Sequence, residues 1–110
     1  MTDGTLVYCF DLDGTLCHTP EVDGIRRYEQ AEPILARIAH VNELADAGHT
    51  IVVDTSRGWS TGKDWHQFTR DQLDEWGLKY HLLMVGRKPG AAVYVDDKGI
   101  GAGAYFEDGL

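Results

Sequence analysis

Four short apolar runs, separated by stretches of helical spacing, constrain this chain more than any other feature. They are TLVYCF at 5–10, TIVVD at 50–54, YHLLMV at 80–85 and AAVYV at 91–95. Short apolar runs bounded by turn residues are the pattern of buried strands. After the first run, Pro33 suits the opening turn of a helix. Ile34, Leu35, Ile38, Val41, Leu44 and Ala45 follow at helical spacing, and Gly48 ends the pattern as a C-terminal cap. After the second run, residues 64–76 carry the apolar stripe Trp65, Phe68, Leu73 and Trp76, and Gly77 closes it. Strands alternating with helices imply right-handed crossovers and a parallel α/β sheet.

The intervening segments read as loops. Residues 17–32, with Pro20 and Gly24, form a flap; residues 56–63, SRGWSTGK, form a loop rich in small and cationic side chains. Residues 86–90 are a turn carrying Arg87 and Lys88, and the glycine-rich tail from 99 to 110 has room for one short helix. A chain of 110 residues makes one domain, 1–110, with a single core. No internal repeat or low-complexity segment interrupts it.

The formal net charge of −8 disfavours nucleic-acid backbones and anionic membranes as partners. No apolar stretch approaches the roughly 18–20 residues that span a bilayer. The start, MTDGTLVY, lacks a basic region followed by a long apolar one, so no signal peptide is expected and a cytoplasmic location is. Cys9 and Cys17 are expected there as reduced, buried thiols. The five histidines show no zinc spacing with cysteine and take solvated or core roles. Trp65 and Trp76 read as core, and Trp59 as packing or flanking a substrate. "GWSTGKD" at 58–64 has one residue too few between its glycines for a phosphate-binding loop, and "GIGAGA" at 99–104 has too little chain after it for a dinucleotide fold.

Ligands of open parallel sheets bind beyond the carboxyl ends of the strands. There the first run ends in Asp11 and Asp13, the second in Thr55, Ser56 and Arg57, and the fourth in Asp96 and Asp97. Asp11 and Asp13, two apart on an extended chain, share a side. An Asp-Gly turn accounts for Asp13 but leaves Asp11 unexplained. A divalent cation accounts for both, because Mg2+ takes a few carboxylates and keeps waters for an anionic substrate. Asp96 and Asp97 add to the charge that such a cation would offset. The nearby positive groups are Arg57, Lys63, Arg87, Lys88 and Lys98.

These residues resemble the haloacid dehalogenase-like phosphohydrolases. "DLDGT" resembles their first signature, Thr55 ending "TIVVDT" their second, Lys88 in "GRKPG" their third, and "VYVDDK" their fourth. The resemblance runs from about Thr5 to Lys98. It implies a three-layer Rossmann-like sandwich with a mainly parallel sheet in strand order 3-2-1-4 and no cap domain. It further implies Asp11 as the nucleophile that forms an aspartyl-phosphate, and Asp13 as the acid and base that moves protons. Thr55 would bind a phosphoryl oxygen and Lys88 would offset charge. Mg2+ would be held by Asp11, the backbone carbonyl of Asp13, Asp96 and Asp97. Ser56 and Arg87 are neighbours able to share the roles of Thr55 and Lys88.

Without room for a cap, the layout is similar to two subgroups. One is the small phosphatases of capsular or surface polysaccharide biosynthesis, which implies a sugar or polyol phosphate as the small-molecule phosphomonoester substrate. The other is the 3′-phosphatase domain of polynucleotide kinase-phosphatases. An open site also admits closure by a neighbouring copy in a homo-oligomer. The reading from a different class is a catalytically idle relative serving as a binding module.

Overall fold

The computed structural model describes residues 4–110. In chain order its elements are β1 (Val7–Phe10), β2 (Cys17–His18), β3 (Glu21–Val22), β4 (Ile25–Arg26), β5 (Glu32–Pro33), α1 (Leu35–Asp46), β6 (Thr50–Thr55), α2 (His66–Glu75), β7 (Leu82–Val85) and α3 (Ala102–Phe106). A 3-10 turn, Tyr28–Gln30, precedes β5. The main sheet has three parallel strands in the order β1-β6-β7. The flap carries two small antiparallel pairs, β2 with β5 and β3 with β4. None of the helices is long and apolar enough to cross a membrane among the described residues.

Alternation along β6 decides which face is covered. Ile51, Val53 and Thr55 are buried, while Val52 and Asp54, on the other face, are only partly so. Register puts Tyr8 beside Ile51 and Phe10 beside Val53. One buried cluster joins Phe10, Ile51 and Val53 to Ile38 and Val41 of α1 and Leu73 of α2. Each such side chain contributes roughly 1.5–3 kcal/mol on full burial. α1 stops where Gly48 takes φ +95, which lets the amides of Gly48 and His49 reach back to the carbonyls of Ala45 and Leu44.

The expected three-layer sandwich with order 3-2-1-4 does not form. Residues 91–95 pair with no strand among the described residues, and Val93 and Val95 are 72 % and 90 % exposed. Local contacts hold that segment instead. The Lys88 ammonium lies 4.7 Å from the centre of the Tyr94 ring, and the Tyr94 hydroxyl donates to the Pro89 carbonyl. Side-chain bonds of this kind compete with a sheet ladder for the same backbone. The second helical layer is also missing. α3 folds onto the side that α1 already covers, with the rings of Tyr105 and Phe106 5.8 and 6.1 Å from Phe10. Arg37 of α1 fastens it there through two 2.7 Å bonds to Asp108. Val7 and Cys9 on the opposite face of the sheet stay exposed.

Smaller differences have local causes. Pro33 belongs to β5, and α1 begins two residues later behind Ile34. Of the stripe expected on α2, only Leu73 is fully buried; the polar Thr69 and Gln72 are buried with it, because a buried arginine lies against them. Cys17 is buried as expected, but Cys9 is exposed because no helix among the described residues covers its face of β1. His49 and His81 each accept a backbone amide, from Leu6 and Ile51, at 2.9 Å.

Candidate active site

The chain leaves β1 with Asp11 and Asp13 on either side of Leu12, which is fully buried. A tight turn follows. The Leu12 carbonyl accepts the amides of Thr15 and Leu16 at 3.0 and 2.8 Å. Gly14, at φ +81, supplies the left-handed residue that this reversal needs. The reversal brings Thr19 back to donate its hydroxyl to Asp13 Oδ1.

Asp13 is fixed by a second element. Arg57, just past β6, donates Nε to Asp13 Oδ2 at 2.9 Å and Nη2 to Oδ1 at 2.8 Å, a bidentate pair. The arginine is 1 % exposed. Its remaining nitrogen, Nη1, donates to Gln72 Oε1 at 2.8 Å and Thr69 Oγ1 at 3.2 Å, both on α2. Its guanidinium carbon stands 4.6 Å from the centre of the Tyr28 ring. Gln72 in turn donates to the Tyr28 carbonyl at 2.9 Å. Burial alone would raise the Asp13 carboxyl. The bonds and charge of Arg57, with the Thr19 hydroxyl and the charge of Arg26, outweigh it and hold the group below the ordinary carboxylate range. Burial pushes the Cys17 thiol beside it up to about 11, so it stays protonated at neutral pH.

Asp11 is in a different state. Its side chain is 40 % exposed, and Lys88 Nζ lies 3.4 Å from its Oδ1. It opens on a cavity of about 320 Å³ lined with Asp13, Arg26, Tyr28, Ser56 and Tyr94. Burial and the Asp13 charge raise the Tyr28 hydroxyl, so the residue lines the cavity as a neutral phenol. Thr55 is buried and does not line the cavity; its hydroxyl accepts the Arg57 amide at 3.3 Å. Arg87 is exposed, and Trp59 packs near Gly90. Lys63 caps the Trp65 ring at 4.3 Å. A larger hollow of about 720 Å³ lies at the other end of the sheet, where Lys79 and Asp46 already pair at 2.6 Å.

The acid pair Asp96 and Asp97 does not reach this cavity. Both are exposed, and the Asp96 carboxylate accepts the amides of Lys98 and Gly99, which hold it below its ordinary range. No group of three or more acidic, histidine or cysteine side chains able to hold a metal ion occurs among the described residues. Mg2+ is expected on the Asp11 carboxylate, the Asp13 backbone carbonyl and the carboxylates of Asp96 and Asp97; of these three carboxylates only Asp11 opens on the cavity. This arrangement does not fit the expected Mg2+ site.

Arg57 stood among several cations in the sequence, and Thr19, Arg26, Tyr28 and Gln72 did not stand out at all. A usable signal existed. Thr69 and Gln72 are polar residues at i and i+3 on the face that α2 buries, which implies a buried polar partner.

No protein-family model matches this chain, and no curated protein does. Among solved structures it is similar to the crystal structure of a structural-genomics target from Vibrio cholerae. The two are 24% identical with a TM-score of 0.77, over 92% of this chain and 87% of that one. This likeness shows a shared fold.

Proposed function

We propose that this protein is a phosphomonoesterase that works through an aspartyl-phosphate on Asp11. One observation carries the reading. At the carboxyl end of β1, Asp11 is a reachable carboxylate beside a second carboxylate whose charge a buried arginine already balances. An Asp11 oxygen attacks phosphorus as the P–O ester bond breaks, and the departing alkoxide takes a proton from solvent water to leave as the alcohol. Lys88, at 3.4 Å, offsets the charge that gathers between nucleophile and phosphate. Arg26, Ser56 and Tyr28 line the space where phosphoryl oxygens would lie. Asp13, held ionised, suits the second half of the reaction, taking a proton from the water that splits the intermediate. Serving as acid for the leaving group requires it to gain a proton that Arg57 opposes. The substrate is a sugar or polyol phosphate of polysaccharide biosynthesis.

The test is hydrolysis of p-nitrophenyl phosphate with and without added Mg2+. Wild type is expected to turn over at least 100-fold faster than Asp11→Asn, since loss of a nucleophile removes its whole route (about 2.7 kcal/mol or more). Equal rates in the two proteins, under both metal conditions, would sink the enzyme reading. The arm with Mg2+ shows whether the metal that the resemblance implies contributes.

A further inference from the structure

A second cavity, about 550 Å³, lies under the hairpin of β3 and β4. It borders the first through two side chains. Arg26, at the end of β4, lines both cavities. Thr19, in the wall of the second, donates its hydroxyl to Asp13 in the wall of the first. Both volumes fall within the roughly 300–1,000 Å³ usual for ligand pockets. The wall of the second is polar, with His18, Thr19, Glu21, Arg26, Gln30 and Glu32. No aromatic carbocycle or long aliphatic side chain is among its lining residues.

We propose that this cavity is the leaving-group subsite, and that it selects an uncharged polyhydroxylated group. The inference rests on the phosphatase reading above. Alternating hydroxyls and ring oxygens need donors and acceptors together; Gln30 and His18 offer both, Thr19 offers a hydroxyl, and the two glutamates accept. Charge does the excluding. Glu21 and Glu32 place two carboxylates against the single guanidinium of Arg26. A nucleic-acid end would bring further phosphates into that field, and the repulsion is undiluted by any other cation of the lining. Arg26 is the residue shared by both halves of the ligand. It meets the phosphate on one side and the leaving group on the other, so it sets the register of the ester bond over Asp11.

The experiment measures binding to the Asp11→Asn protein by calorimetry, with glucose 6-phosphate, inorganic phosphate and a 3′-phosphorylated oligonucleotide as probes. Glucose 6-phosphate is expected to bind more tightly than inorganic phosphate, and Arg26→Gln to weaken it roughly 10- to 100-fold, as for loss of a charge-assisted bond. Glu21→Lys with Glu32→Lys should abolish the preference for glucose 6-phosphate and create oligonucleotide binding that fades with salt. Glu21, Arg26 and Glu32 are all exposed, so these variants keep the core intact. Equal affinity for glucose 6-phosphate and inorganic phosphate overturns the subsite, as does a preference unmoved by either variant. Turnover of p-nitrophenyl phosphate by wild type is read separately. Its absence removes the phosphatase reading and, with it, this subsite as a leaving-group site; turnover with an unmoved binding preference overturns the subsite alone.

Discussion

Arg57 is buried without being buried alone, and its polar contacts come from two parts of the chain, the turn after β1 and helix α2. The Asp13 carboxylate, the Thr69 hydroxyl and the Gln72 amide oxygen meet its nitrogens. Removing one partner of such a pair leaves the other as an uncompensated buried charge, which costs about 3–5 kcal/mol. Arg57→Met is therefore expected to lower unfolding stability in urea by that amount. Arg57→Met combined with Asp13→Asn should recover a good part of it, and a loss under about 1 kcal/mol in the single variant would show that water reaches Asp13. At this scale strand parity put Asp11 and Asp13 on one side and the family resemblance singled out Lys88; the two acids line one cavity, and Lys88 lies 3.4 Å from Asp11. No such mark fell on Tyr28 or Thr19, because both arrive through the flap's reversal at Gly14, whose geometry no apolar period encodes. Asp96 stayed apart for a related reason: its carboxylate found partners two and three residues away before any distant one.

Among the elements, α3 depends most on what it packs against. It has five residues and no side-chain cap at its N-terminus. Helices this short do not hold alone. Aromatic contacts to Phe10 and His40 and the Arg37–Asp108 pair keep it in place. The bond from Arg37 depresses the Asp108 carboxyl to about 2. A lowered carboxylate stabilises fully above its ordinary value near 4 and loses that contribution as pH falls through its folded value. Undocking of α3 is thus expected between about pH 4 and 2, seen as lost amide protection at 102–106. Asp108→Asn should show the same loss at neutral pH; protection unchanged in that variant would assign the docking to the aromatic rings alone. In the sequence this helix was only a possibility within a glycine-rich tail, since five residues are too few to show a period.

For the whole molecule, the strands β1, β6 and β7 and the two long helices were legible from apolar period and from the glycines that end them. The second layer was not. AAVYV at 91–95 has the composition of a strand, yet propensity records only how well a residue suits a pleated surface, and here no partner edge is used. The outcome is a sheet covered on one face. Cys9 sits on the open one. Native protein should accordingly be alkylated by iodoacetamide at Cys9 and not at Cys17, with both reacting after denaturation; protection of Cys9 in the native state would mean that something covers the sheet. The Arg57–Asp13 pair carries a kinetic consequence as well. It joins residues 44 apart in sequence, and the Gln72–Tyr28 bond spans the same separation. Contacts so distant await the closing of the chain between them. β1 and β6 pair over nearly the same span, Val7 with Thr50, so their pairing is what brings Asp13 and Arg57 together; the ion pair must then shed water from both groups, and it consolidates after the strand–helix–strand unit of β1, α1 and β6. Arg57→Lys should steepen neither arm of a chevron but raise the unfolding rate while refolding stays nearly constant, and slowed refolding would move the pair into the nucleus.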